Sequence, residues 1–339
     1  MVDVTVVIPT HNRLRLLRAA IASVLNQQAV SLEVVVVDDG STDGTGAWLD
    51  RRAAQDARIK VVHHERPKFL PVARNAGIAH ASARWVAFCD DDDLWAPDKL
   101  VSQLRALSSN AAGWACTGLV VVDEELEIIG HHRVRGGDVL SDLLQGNTIT
   151  SGSTVIADLD LVRRVGGFDP TLRASEDWDL WIRLAQHSQL AAVDRPLIAY
   201  RQGIASMSMD VERMRASRAI IVDRYAPIAA QQAVRSTEVT HERFLAKQLL
   251  RAGSGRKAAS IFASLVVKHR QWRELPRAPA ALIAPRWTDR LGTARATAAV
   301  PPAWKIEADG WLRSMRTAGE LTRPDHRGWH HDQRSGTLQ

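Results

Sequence analysis

Cysteine is scarce: Cys89 and Cys116 are the only two in 339 residues. At most one bridge could form, so a disulfide-built fold is excluded, and the scarcity suits a reducing compartment. No run of about eighteen apolar residues occurs, so no spanning helix is expected. The opening Met1-Val2-Asp3-Val4-Thr5 has neither a basic segment nor a cleavable apolar one, which predicts no secretory signal. No fixed-period self-similarity is present, which argues against a repeat solenoid. No Gly-x-Gly-x-x-Gly follows the first apolar run, so a dinucleotide-binding dehydrogenase is unsupported.

Evenly spread positive charge is missing too. The formal charge is +6, yet residues 251–339 hold 16 Lys+Arg against 7 Asp+Glu, whereas residues 1–250 hold 28 against 31. A general nucleic-acid-binding surface is therefore a poor reading, and no nucleic-acid partner is expected. A basic C-terminal stretch facing an acidic surface, such as anionic lipid, is a better one.

What is present is alternation. Val4 to Ile8 is a short β-branched run. Asn12 to Asn26 has helical spacing, with Asn12 as a candidate N-cap. Leu32 to Val37, Arg58 to His63 and Trp85 to Cys89 read as further buried strands, with helices over 43–56 and 71–81 between them. The pattern predicts a mostly parallel sheet covered by helices on both faces, with ligand bound at the carboxyl ends of the strands. After about residue 110 the spacing predicts strands over 114–122, 151–156, 190–193 and 196–201, and helices over 158–165 and 177–187. Residues 208–270 read as helical, with breaks at Pro227 and Gly253-Ser254-Gly255.

The residues suited to chemistry fall in the loops after the strands. Asp90-Asp91-Asp92-Asp93 closes a buried strand, and four adjacent carboxylates repel one another unless a cation sits among them. Mg²⁺-type sites use one or two carboxylates plus phosphate oxygens. Asp38-Asp39-Gly40-Ser41-Thr42-Asp43 offers acceptors for a base or ribose, and its glycine permits close backbone approach. Arg74, in Arg74-Asn75-Ala76-Gly77, suits phosphate or base recognition. Glu176-Asp177 opens a helix, and Asp177 becomes a candidate general base if it faces a cleft.

Taken in order, Val6-Val7-Ile8-Pro9-Thr10-His11-Asn12-Arg13, the Asp38–Asp43 loop, Arg74-Asn75-Ala76-Gly77, the Asp90–Asp93 cluster and Glu176-Asp177 resemble the motifs of family 2 glycosyltransferases with the GT-A fold. The resemblance spans about residues 3–208. It implies a GT-A catalytic domain over 1–208, with a nucleotide-binding part over 1–110 and an acceptor-side part over 111–208. A helical extension over 209–270 and a basic stretch over 271–339 then follow. By the same resemblance, Pro9, Thr10, Asp38 and Asp39 hold the nucleotide's base and ribose, and Arg74 lies beside the nucleotide. Asp92 is the implied direct metal ligand, with Asp90 or Asp91 on ribose or metal-bound water, and Asp177 is the catalytic base. Tyr200-Arg201 and Ser206-Met207-Ser208 resemble a segment that closes over the diphosphate; where the family frequently has histidine, this chain has Gly203.

The implied function is inverting transfer of a sugar from a UDP-, GDP- or dTDP-linked donor to a saccharide or lipid-linked saccharide acceptor. Mn²⁺ or Mg²⁺ is the expected cofactor, and cell-envelope, capsule or exopolysaccharide assembly the setting. The expected location is cytoplasmic, with peripheral contact at the inner membrane face through residues 251–339 as one reading of the basic stretch. The other reading is a packed or partly disordered extension. A non-catalytic nucleotide-sugar-binding subunit is the alternative function. A sugar nucleotidyltransferase is a weaker one, because its Gly-rich basic loop is absent from Pro9–Arg13. His63-His64, His131-His132, and His326 with His330 lack the partners of a metal site, and Cys89 reads as core.

Overall fold

The structure is a computed structural model and describes residues 2–202, 210–234 and 238–317. The expected boundary at 208, Gly203, Ser206–Ser208 and the His326/His330 pair lie outside the described residues.

The first half is a strand–helix alternation: β1 (Val4–Thr10), α1 (Leu14–Leu25), β2 (Leu32–Asp38), α2 (Thr45–Gln55), β3 (Ile59–His63), α3 (Leu70–His80) and β4 (Trp85–Phe88). These strands pair in parallel in the order β3-β2-β1-β4. Every residue of β1 and β2 is buried, which explains their largely apolar sequence: helices cover both faces.

The second half adds β5 (Leu94–Trp95), α4 (Lys99–Asn110), β6 (Trp114–Val122), β7 (Ile128–His132), α5 (Leu140–Gln145), β8 (Val155–Asp158), α6 (Leu159–Arg164), α7 (Glu176–Ala185) and β9 (Leu190–Arg201). The sheet continues β4-β8-β6-β9-β5, with β7 hung on β6. Here β8 runs antiparallel to both β4 and β6, while β9 is parallel to β6. The sheet is therefore parallel in its N-terminal half and mixed beyond it. Two expected strands, 190–193 and 196–201, are one strand, β9, joined through a register shift opposite Thr117 and Gly118. Residues 151–154 are not strand: Gly152–Thr154 form a 3-10 turn capped by the Ser151 hydroxyl.

Six helices follow: α8 (Val211–Gln231), α9 (Glu238–Arg251), α10 (Gly255–His269), α11 (Arg277–Ile283), α12 (Pro285–Ala298) and α13 (Pro302–Thr317). Pro227 does not break α8, which continues to Gln231. Its missing N–H costs one bond near the helix end, where few turns depend on it. The stretch from 277 to 317 is helical, and α13 returns to the sheet. Val300, Trp304, Ala308 and Leu312, four residues apart, form one stripe packed with Leu94, Val120, Val122 and Ala199.

Candidate active site

Parallel pairing brings the strand ends together. Thr10 lies opposite Asp38, and Val7 opposite Phe88. Continuing that second register three residues onward sets Thr10 beside Asp91, and the Thr10 hydroxyl donates to Asp91 Oδ2 at 2.8 Å. Pro9, paired with Val37, leaves no N–H of its own at this edge. Asn12 is not the N-cap of α1. It adopts φ +54, and its amide oxygen accepts the Thr42 N–H at 2.7 Å, so it joins the first loop to the second. The tertiary partner outcompetes the local cap.

Asp38 and Asp39 are both buried. Asp38 accepts the Ser41 N–H and lies 3.2 Å from His63 Nδ1. Burial opposes charge on His63, but Asp50 and Asp38 outweigh it and raise its pKa. Asp39 accepts from His64 Nδ1 at 2.6 Å and from the N–H groups of Lys68 and Phe69, at 2.9 Å each. The loop before α3 is thereby pinned to the end of β2, with Phe69 held at φ +72, a conformation a bulky residue rarely adopts.

The acidic loop splits by alternation. Asp93 is fully buried; it accepts the Ser151 hydroxyl and the Arg201 N–H, tying the loop to β9. Asp91 is also buried, held by Thr10 and by Arg13 Nη1 at 3.2 Å. The side chains of Asp90 and Asp92 keep 27% and 25% of their exposure, so these two face outward. Asp92 accepts Arg13 Nη1 at 2.8 Å. Burial, the largest cause, lifts Asp91 to about 7 against the pull of Arg13. It also raises Asp92, and it raises Asp93 well above the usual carboxylate range with Asp92 and Asp90 adding to it.

Arg74 joins this loop to α7. Its Nη2 donates to Asp90 Oδ1 and its Nη1 to Glu176 Oε1, both at 2.6 Å, and its guanidinium lies 5.1 Å from the Phe168 ring centroid. Its buried Nε has no hydrogen-bond partner among the described residues. Asp177 follows Glu176 on the same first turn. Burial first, then the Glu176 charge, push Asp177 up to about 7, with Arg74 opposing. Ser175 before it sits at φ +56, a strained entry that starts the helix with both carboxylates at its N-terminus. On the other side of α7, Trp178 and Ile182 join Ile221, Tyr225 and Ala229 around an apolar cavity of about 520 Å³, which no acidic side chain lines.

The residues also fit a divalent cation. Against the carboxylates of Asp90, Asp91, Asp92, Asp93, Glu176 and Asp177 stand the guanidiniums of Arg13, Arg74 and Arg201. Burial first, and then the neighbouring carboxylates, lift the pKa values of Asp91, Asp92, Asp93 and Asp177. No three ligating side chains converge among the described residues, so a cation here would take part of its shell from a ligand's oxygens. Sequence reasoning missed Arg13 as the partner of Asp91 and Asp92, and Glu176 as the anchor of Arg74. It set His63 and His64 aside as metal ligands and did not foresee that they pair with Asp38 and Asp39. Each pairing joins segments at least 25 residues apart, so no local pattern could show it.

Known proteins resemble this chain in sequence and fold. The sequence profile of glycosyl transferase family 2 matches residues 5–164. TuaG of Bacillus subtilis, named for teichuronic acid biosynthesis, is 31% identical over 181 residues, covering 53% of this chain and 71% of TuaG. WfgD of Escherichia coli, named a UDP-Glc:α-D-GlcNAc-diphosphoundecaprenol β-1,3-glucosyltransferase, is 26% identical over 217 residues, covering 62% of this chain and 81% of WfgD. Rickettsial relatives are 33–34% identical, but the chain spans only 28–33% of their length. The S. aureus TarS structure with UDP-GlcNAc superposes with a TM-score of 0.54 at 17% identity, covering 87% of this chain and 83% of that one, a likeness of fold. The motif order, the fold and the TuaG match together show that the chain belongs to glycosyl transferase family 2.

Proposed function

We propose that the chain is an inverting glycosyltransferase that moves a sugar from a nucleotide-diphosphate donor to a hydroxyl of a saccharide or lipid-linked saccharide. One observation carries this reading: Arg74 bonds both the Asp90 loop and Glu176, so the outward carboxylates and the near-neutral Asp177 are held together. Pro9, Thr10, Asp38 and Asp39 line the base and ribose end, with Asp39 also fixing the loop that carries α3. Asp90 and Asp92 would hold Mn²⁺ or Mg²⁺, which supplies positive charge to a departing diphosphate. Asp91 steadies Thr10 and Arg13 beside them. Asp177 takes the proton of the acceptor hydroxyl as that oxygen attacks the anomeric carbon from the face opposite the leaving group. A carboxylate poised near neutrality suits this, because it is ionised when needed yet basic enough to accept.

WfgD's named substrates make UDP-sugars the first donors to try and a diphosphoprenol-linked sugar the first acceptor. Such an acceptor places the reaction at the cytoplasmic face of a membrane, in cell-envelope or exopolysaccharide assembly. Residues 1–208 form the catalytic unit in this reading, and the helices after 209 extend it. Donor turnover, with and without acceptor, tests the proposal. Slow hydrolysis of one nucleotide sugar, abolished by EDTA and restored by Mn²⁺, is the expected result. No hydrolysis across UDP, GDP and dTDP sugars, with binding intact, would instead favour a non-catalytic donor-binding subunit.

A further inference from the structure

We propose that the corner between α11 and α12 docks the chain on an anionic lipid bilayer. Single exposed apolar residues are ordinary, but this corner gathers several. Leu282, Ile283 and Trp287 are 56%, 84% and 60% exposed, all within six residues around the turn at Ala284. On α12, Trp287 and Leu291 are four apart and share a face, and Leu291 is exposed as well. Ala296, on the opposite side of that helix, lies against Gly130 of β7. The face carrying Trp287 and Leu291 is therefore turned away from the sheet.

Charge frames the apolar tip. Arg286 and Arg290, also four apart, run alongside it and are exposed. Arg256 and Lys257 come close from α10, because Gly255 packs on the Ala281 carbonyl and on Pro285. None of these four cations has a carboxylate partner among the described residues. The acids of the same region are already consumed: Glu274 by Arg243 and Arg277, and Asp289 by Arg251.

This pairing selects the occupant. Aliphatic tips enter the acyl boundary, an indole settles at headgroup level, and unneutralised cations are drawn to anionic headgroups. A nucleic acid offers nothing for Leu282 and Ile283 to bury against. A second copy would bring the same positive rim against itself. No helix among the described residues is long and apolar enough to cross a membrane, so the contact is one of surface. The inference rests on this surface and not on the chemistry of the carboxylate cleft.

The test is sedimentation of the full chain with vesicles of phosphatidylcholine alone and with about 30 mol % phosphatidylglycerol. The chain is expected to partition roughly tenfold better onto the anionic vesicles, and to lose most of that preference in about 0.5 M NaCl. Ile283→Glu with Trp287→Glu, and separately Arg286→Glu with Arg290→Glu, are each expected to weaken partitioning about tenfold. Their melting temperatures and their hydrolysis of soluble donor should match the parent, because these side chains are exposed and bond none of the carboxylates of the site. If either pair melts early, Trp287→Ser and Arg290→Gln carry the same comparison singly. Equal partitioning onto both vesicle types overturns the proposal, as does full binding by the variants. So does a dimer in light scattering that Ile283→Glu with Trp287→Glu dissociates while vesicles are ignored. Donor hydrolysis is read separately, so failure here leaves the glycosyltransfer reading standing, and the reverse holds too.

Discussion

Asp177 is held between two negative neighbours and one positive one, and its folded pKa of about 7 has consequences for both rate and stability. An exposed aspartate ionises near 4. Between about pH 4 and about pH 7 the folded chain keeps a proton that the unfolded chain has released. Stability attributable to this group therefore falls as pH rises through that window, and stays lowered above it. Asp177→Asn removes the cost: at pH 8 its melting temperature should exceed the parent's, while turnover falls by about 10²–10⁴. In the parent, the pH profile of kcat/KM should rise through an apparent pKa near 7. A variant that kept parental transfer rates would take the base role away from Asp177. Arg13 makes the complementary case. Its loss leaves Asp91 and Asp92 without their guanidinium, so Arg13→Ala should cost on the order of 2–3 kcal/mol at neutral pH. The deficit should shrink as pH falls through about 7, where Asp91 takes up its proton. Added Mn²⁺ should raise the melting temperature of Arg13→Ala more than that of the parent, because a cation then occupies the position Arg13 has left. No response to Mn²⁺ in either protein would remove the metal from the proposed mechanism.

Among the elements, α3 carries Arg74, so the cleft depends on how closely α3 approaches the sheet. Gly77 sets that distance: a Cβ there would overlap the fully buried Val7 of β1. Gly77→Ala should destabilise the fold by about 1–3 kcal/mol, through overpacking rather than helix propensity, which would favour alanine. Combining it with Val7→Ala should cost less than the two changes added, since each relieves the strain of the other. Strict additivity in chemical denaturation would show that α3 shifts freely. α7 is fixed at its first turn. Glu176 reaches Arg74, and the buried Asp179 takes Arg183, Arg224 and the Tyr225 hydroxyl. Asp177 is thus the one carboxylate of that first turn left without a cationic partner within salt-bridge reach among the described residues, which is why it remains adjustable.

At the scale of the whole molecule, α13 closes the far side of the sheet over β5, β6 and β9, next to the strand end that carries Asp93. Gly118 on β6 gives Trp304 its seat, the Trp311 indole donates to the Pro196 carbonyl, and Glu307 pairs with Arg195 at 2.6 Å. Trp304→Ala should therefore cost about 3–5 kcal/mol. A chain ended after residue 299 should melt well below the full one and bind apolar dye. A silent truncation would mean that α13 contributes nothing to the stability of the sheet it covers.

The strand–helix alternation, the loops and the five motifs were legible in the amino-acid order because each is local. Period-two and period-3.6 patterns, turn residues and runs of aspartate are complete within about ten residues. Tertiary structure decided which aspartates face out. Thr10, Arg13, Ser151 and Arg201 draw Asp91 and Asp93 inward, and they come from three separate segments. It also decided that Asp177 sits near neutrality, through burial and the Glu176 charge, against the pull of Arg74, about a hundred residues earlier. It placed β8 antiparallel between β4 and β6, and it turned a basic C-terminal stretch into a helix that covers the sheet. Burial and Coulomb forces act through distance in space, and the linear order of residues does not encode that distance.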